Sequence, residues 1–452
     1  MSATSAIAIR YYHHLLQEQL SDSESQLSVL IHRQHEWGLA MGDRALTYSL
    51  RPSFIPEGQY IRMQDAVYLI RQAILHIANT FFHDTESMKD LALSEWEMEM
   101  AAMYTKMIRF SAVARLDAIM TDTTFKFIRV NGESPFGAAY THHLAKLYRE
   151  LSLFKQFTKT YPVRFVSPLE HLVAGLLRIY HEEFDGEQEK PSFVIVGSES
   201  DPSFSEYLLI KAYLDQFDYP CEICAPEALC CQEGWIYAHG LRCDILYRRF
   251  TMHEYQQRFE ACGPYHEGYI AQKTCYVNTF KANVIHKRSL LAYLTDSRYS
   301  RILNTFQIQA IREHIPWTRF FRPQQTNYQG RMVDLVDFVR SHRSDFVLKP
   351  NDDTEGKSII SGLHQSESRW DAAIEEALAN DYIVQERVDL YEEPYMSWEN
   401  RQWTEIPTVV NVDPYINGPL MGGCMTRTTP VTTTSLAVGA SFLPTFILRD
   451  MH

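Results

Sequence analysis

Asp345-Phe-Val-Leu-Lys349-Pro-Asn-Asp-Asp353-Thr-Glu-Gly-Lys357-Ser-Ile-Ile-Ser-Gly-Leu363 is the stretch that decides the reading of this chain. Asp345 to Pro350 is an apolar strand stopped by proline, Asn351 to Lys357 a polar loop, and Ser358 to Leu363 a returning strand, a hairpin with an acidic tip. A lysine at the end of a buried-looking strand must snorkel to water or meet a negative partner. The loop beside Lys349 adds the backbone amide of Gly356 and a second cation, Lys357, which are the parts of a phosphate site. Alone, these residues would pass for a solvated strand end. Their order argues otherwise. An amphipathic helix follows, capped at Ser368 with Asp371 three residues on, and it carries Trp370, Ala373, Ile374, Ala377 and Leu378 on one face. Tyr382 to Val388 (YIVQERV) is then a second strand, which in a nucleotide site offers backbone groups to an adenine edge while the lysines hold phosphates.

Outward from this segment, Pro407 to Val412, a Gly-rich turn at Gly418 to Gly423, and Leu436 to Leu448 complete a second sheet. Towards the N-terminus, Phe193-Val-Ile-Val-Gly197, the helical pattern of Tyr207 to Phe217 and the strand Cys221 to Cys224 start a parallel α/β unit. It has no Gly-x-Gly-x-x-Gly fingerprint and extends through the strand Asp244 to Phe250 to about residue 290. A polar linker, Asp185 to Ser192, precedes it. Met63 to Thr80 and Leu91 to Phe110 read as helices, as do His142 to Phe157 and Leu169 to Phe184. Phe125 to Val130 alternates as a strand ending in the turn-former Asn131-Gly132.

The 452 residues, 45% hydrophobic and 22% charged, are too many for one ordinary core and too apolar for disorder, so two or three packed units are expected. A net charge of −13 disfavours nucleic acid. No run is long and apolar enough for a membrane span, and the polar N-terminus suggests a soluble, cytoplasmic protein. Eight cysteines in so long a chain do not form a disulfide scaffold. Cys221 and Cys224 have the gap of a zinc knuckle, but Cys230 and Cys231 are adjacent, and the group reads as small apolar residues around a buried strand.

The runs VLKPNDDTEGKS, YIVQERV and GGCMTR, in that order, resemble the C-terminal part of the circularly permuted ATP-grasp proteins, which include glutathionylspermidine synthetase and eukaryotic glutathione synthetase. Three further segments fit. Ala114 to Pro135 resembles the family's Arg-x-Asp, strand, Glu-x-Asn segment, Cys243 to Phe250 its Asp-x-x-Tyr-Arg-Arg strand, and Val277 to Asp296 its Asn, Lys and Leu pattern. The resemblance runs from about residue 110 to the C-terminus. It implies a mixed α/β fold with a helical N-terminal region (1–110), an ATP-grasp core segment plus helices (111–186), an α/β pre-ATP-grasp domain (193–290), and the lid and core (291–452). It also implies an ATP-dependent carboxylate-amine ligase, in which ATP phosphorylates a small-molecule or peptide carboxylate and an amine attacks the acyl phosphate.

By that resemblance Lys287, Lys349 and Lys357 contact ATP phosphates, and Gln385, Glu386, Arg387 and Val388 frame the adenine. Arg115 and Arg427 lie near the transferred phosphoryl group or acyl substrate, and Asp117, Asn131 and Asp353 bind or surround magnesium. One departure matters. Arg129 stands where the family has a magnesium-ligating Glu, and an arginine cannot ligate a metal. Glu133, one strand period beyond Asn131, is the candidate substitute, with Asp352, Asp353 and Glu355 as further carboxylates. Arg129 motivates a second reading, a catalytically silent relative that binds a nucleotide or a peptide or protein partner. Of Arg248 and Arg249, one is expected to reach the substrate cleft and the other to form a salt bridge. The pairs His13-His14 and His142-His143 are poor chelates, and Ser198 and Ser200 lack a nucleophile-elbow frame.

Overall fold

The two long apolar stretches near the C-terminus and the Arg-Leu-Asp strand near residue 115 meet in one sheet. In the computed structural model, which describes residues 3–81, 88, 91–107, 112–121, 124–352, 358–399, 401–430 and 440–449, an eight-stranded sheet forms the centre. Its main path runs Ser53–Pro56, Ser441–Leu448, Leu420–Pro430, Gln402–Asn417, Val113–Met120 and Phe125–Asn131. The strand Gln402–Asn417 changes neighbours midway. Its first half pairs with Glu392–Glu399, and Asn411 to Asn417 pair with Val113–Met120. This exchange aligns Tyr415 with Arg115, and Arg115 in turn with Asn131. The strand thus runs well past Val412, and Asp413 belongs to it.

The region before residue 110 is built into this sheet, since Ser53–Pro56 pairs in parallel with Ser441–Leu448. The helix Glu57–Phe81 buries Met63, Ala66, Val67, Ile70, Ile74, Ile77 and Phe81, the three- and four-residue spacing of a one-sided helix. Leu91 to Phe110 does not continue that pattern. Among the described residues only Glu95–Ala102 is helical there, started by a reciprocal capping box between Ser94 and Glu97. His142 to Phe157 is likewise two helices, Ala138–Glu150 and Ser152–Thr160, broken at Leu151 in extended conformation.

The second unit is the expected parallel sheet, ordered Cys275–Val277, Ile245–Arg248, Phe193–Val196, Cys221–Cys224. Asn278, just past its outer strand, ties it to the central sheet. Its side-chain oxygen accepts from the Ala112 and Val113 amides, and its amide nitrogen donates to the carbonyls of Val113, Gly132 and Glu133.

The third unit is an antiparallel sheet of Thr318–Phe320, Tyr382–Glu386, Phe346–Pro350 and Ile360–Ser361. It has its own core of Phe346, Leu348, Trp370, Ile374 and Val384 under the helix Glu367–Ala379. That helix is capped by Ser366, whose hydroxyl accepts from the Arg369 amide, so the cap lies two residues before Ser368. The whole is a mixed α/β architecture. Among the described residues no helix is long and apolar enough to cross a membrane, and no group of His, Cys, Asp or Glu is arranged to hold a metal ion, the cysteines around Cys221 included.

Candidate functional site

Strand pairing puts Asp117 opposite Arg129 and Asn411 opposite Arg427, so side chains of four neighbouring strands gather charge on one face of the central sheet. Arg115 Nε donates to Asp117 Oδ1 at 2.9 Å. Arg427 Nε donates to Asp413 Oδ2 at 2.6 Å and places Nη2 3.6 Å from Asp117 Oδ2, and Arg129 Nη1 stands 3.8 Å from that same oxygen. Asp413 Oδ1 accepts from the Ala118 amide. Three guanidinium groups therefore face two buried carboxylates. Burial pushes the Asp117 carboxyl up, but Arg115, Arg427 and Arg129 outweigh it and hold the group well below the usual carboxylate range.

Lys349 joins this group from the third unit. It is buried, and its Nζ donates to Gln385 Oε1 at 2.6 Å, with Gln385 Nε2 fixed in turn by Thr318 Oγ1. Burial, then Arg288, lower its pKa to about 7, with Asp117 opposing them and Arg129 adding a smaller push in the same direction as Arg288. Arg288 is anchored to this strand end by Nη1 to the Pro350 carbonyl at 2.6 Å. Lys287 is placed differently. Its Nζ donates to Glu97 Oε1 at 2.7 Å and Asp352 Oδ2 at 2.6 Å, and these carboxylates raise its pKa against the effect of burial.

A cleft of about 920 Å³ opens between the third unit and the central sheet, and Arg115, Arg129, Arg427 and Lys349 are not among the residues that line it. Its walls include Leu294, Ile311, Ile315, Trp317, Val388 and Lys126. Of the four residues expected to frame adenine, Glu386, Arg387 and Val388 line it, while the Gln385 side chain is bonded to Lys349. The Glu386 and Arg387 amides are already used, donating to the carbonyls of Trp317 and Asp345. Val388 offers the first amide beyond these two.

The structure also separates residues that the sequence grouped. Arg115, Asp117, Asn131 and Arg427 come together. Glu133 does not join them. The strand ends at Asn131, alternation no longer applies, and the Glu133 carboxylate accepts from Arg248 at 3.3 Å and from the Met252 amide at 3.1 Å. Arg249 pairs with Glu206 at 3.0 Å, so both arginines of that dipeptide form buried salt bridges. Asp353, Lys357 and Glu355 lie outside the described residues.

Asp413, His286, Arg288 and Lys126 were not singled out from sequence. Asp413 carried a signal, an acidic residue between strand formers, but Pro414 beside it reads as a strand end. His286 accepts Arg129 Nη2 at Nε2, 3.3 Å away, and burial together with Arg129 lowers its pKa to about 3, so it is neutral.

Magnesium needs several free oxygen ligands in near-octahedral array. Here Asp117 is hydrogen-bonded to Arg115 and faces Arg427 and Arg129 at 3.6 and 3.8 Å, Asp413 is held by Arg427 and a backbone amide, Glu133 by Arg248, and Asp352 by Lys287. The described residues do not fit a magnesium site of the expected kind.

No family model matches the sequence, and no curated protein matches it. Among solved structures, a glutathione synthetase-like effector from Globodera pallida in apo form superposes with a TM-score of 0.63 at 11% identity, covering 94% of this chain and 96% of that one. A putative gamma-glutamylcysteine synthetase from Methylobacillus flagellatus KT gives a TM-score of 0.41 at 9% identity over 83% of this chain and 88% of that one, too low to add to the first. The first likeness establishes the fold alone, a mixed α/β architecture of the ATP-grasp-like kind.

Proposed function

We propose that the chain binds ATP in the cleft between its third unit and the central sheet, and that it holds the nucleotide rather than turning it over as a carboxylate-amine ligase. The observation that carries this is a spacing along one strand. Lys126, at the cleft, and Arg129, at the cation group, are three residues apart on Phe125–Asn131. A bulge opposite Asp117 and Ala118 sets both side chains on one face and shortens that separation to about 7 Å, the two-residue spacing of their partners Asp117 and Ile119, and the length of the two side chains makes up the rest of the reach from an adenine to its distal phosphates. Trp317, Leu294, Ile311 and Val388 would hold the base, and Lys349, Arg129 and Arg427 the phosphates. ATP would supply a phosphoryl donor if a carboxylate substrate were admitted.

The silent reading is favoured over the ligase because the carboxylates nearest the cations are engaged by arginines. A metal placed there would meet positive charge and few free oxygens. The circular permutation, a cytoplasmic location and small-molecule or peptide substrates stay attached to the ligase reading. Thermal denaturation with millimolar ATP tests the first part, with stabilisation expected. Phosphate release with pooled amino acids and polyamines tests the second, and release clearly above the ATP-only background would restore the ligase.

A further inference from the structure

The centre holds more guanidinium than its own carboxylates use. Arg427 donates Nε to Asp413, and its contact with Asp117 at 3.6 Å is beyond hydrogen-bonding distance. Among the described residues the one hydrogen bond of Arg129 goes to neutral His286, and its contact with Asp117 is longer still, 3.8 Å. Both side chains keep N–H groups without a partner among those residues. Both are partly open, 14% exposed for Arg129 and 23% for Arg427, whereas Arg115 is 2% exposed, with Nε on Asp117 and Nη1 on the Phe136 carbonyl. Lys349, whose Nζ has Gln385 as its one hydrogen-bond partner among those residues, completes the group. Such spare, preorganised donors suit oxyanions in number and geometry.

We infer that this centre takes the polyphosphate of a nucleotide without a divalent cation, with Arg129 as the fixed positive charge beside Asp117. The inference rests on the proposed binding of ATP in the cleft and deepens it. A magnesium ion normally neutralises phosphate oxygens, and a guanidinium does so with no coordination geometry to satisfy. His286 holds Arg129 in place, its Nε2 accepting from Nη2. A metal arriving with the nucleotide would compete with three arginines for the same oxygens.

Calorimetric titration of the full chain with ATP, once in EDTA and once with excess magnesium, tests this. Affinity in EDTA is expected to equal or exceed that in magnesium, by up to about tenfold. Arg129→Glu should reverse the order, losing about ten- to a hundredfold in EDTA and recovering when magnesium is added. Arg129→Gln, which keeps a donor for His286, should weaken binding in EDTA by a similar factor and serves if the first variant does not fold. Binding by the parent chain that requires magnesium would overturn the inference and leave the ATP site standing. Unchanged affinity of both variants in EDTA would overturn it too. No binding under either condition would overturn the ATP site and the inference together.

Discussion

Arg115 Nε donates to Asp117 Oδ1 at 2.9 Å, while Arg129 Nη1 stands 3.8 Å from the other oxygen of the same carboxylate. The two arginines are therefore not equivalent. Arg115 is the structural partner of Asp117, and Arg129 is held near it at a desolvation cost that burial makes evident in its lowered pKa. Replacing Asp117 by Asn should leave several buried cations uncompensated and cost about 3–5 kcal/mol. Arg129→Met should change stability by less than about 1 kcal/mol, or raise it. Urea denaturation of both variants checks the contrast, and a large loss in Arg129→Met would make Arg129 a structural residue.

The depressed pKa of Lys349 has a stability consequence with a definite sign. Between about pH 7, its folded value, and its ordinary 10.5, the unfolded chain binds more protons at this residue than the folded one. Stability from this group therefore rises with pH across that window, by about 1.4 kcal/mol per pH unit, and the penalty is fully present below it. Lys349→Met removes the penalty, less about 1 kcal/mol for the unpaired Gln385 oxygen. Its advantage over the parent should be largest near pH 6 and shrink steadily from pH 7 to pH 9 in denaturation curves. A constant difference across that range would mean that Lys349 is not neutralised on folding.

How much of this was legible depends on whether a signal is local. The strand carrying Lys349, the helix after it and the strand to Glu386 could be read because period and proline stop are encoded within a few residues, although the helix cap falls at Ser366 and not at Ser368. Arg115, Asp117 and Asn131 could be singled out from one short segment. Asp413 could not, because its role comes from the pairing of Gln402–Asn417 with Val113–Met120, almost 300 residues earlier. Glu133 shows the converse error. Strand alternation was extended two residues past the point where the backbone leaves the sheet, and the side chain turned to Arg248. The pairing of Lys287 with Glu97 was hidden in the same way, since Glu97 lies in the cap of a helix that sequence periodicity had merged into a longer one.

Lys287 is bound at present to two carboxylates, and Asp352 is the more exposed of them, at 37% against 11% for Glu97. Removing its charge in Asp352→Asn should free one lysine donor and reduce the negative potential beside the cation group. ATP affinity by calorimetry is expected to rise about three- to tenfold, with a stability change within about 1 kcal/mol. Unchanged affinity would place Lys287 outside the reach of the phosphates and leave it as a tether between Glu97 and the strand end at Pro350.

The two ends of the proposed site can be separated by ligand. Trp317 lines the cleft, with Nε1 donating to the Asn327 carbonyl at 3.0 Å and its ring edge-on to Tyr328 at 5.1 Å, so its surroundings are fixed before any ligand arrives. An adenine entering the cleft would replace water against this indole and alter its emission. Inorganic tripolyphosphate reaches only the cations. ATP should therefore change tryptophan fluorescence, Trp317→Phe should abolish that change against the background of the six other tryptophans, and tripolyphosphate should displace ATP without producing it. If tripolyphosphate reproduced the full ATP signal, the response would come from closure around the phosphates, and the cleft would have no claim on the base. If it failed to displace ATP, the cations near Arg129 would not be the phosphate end of the site.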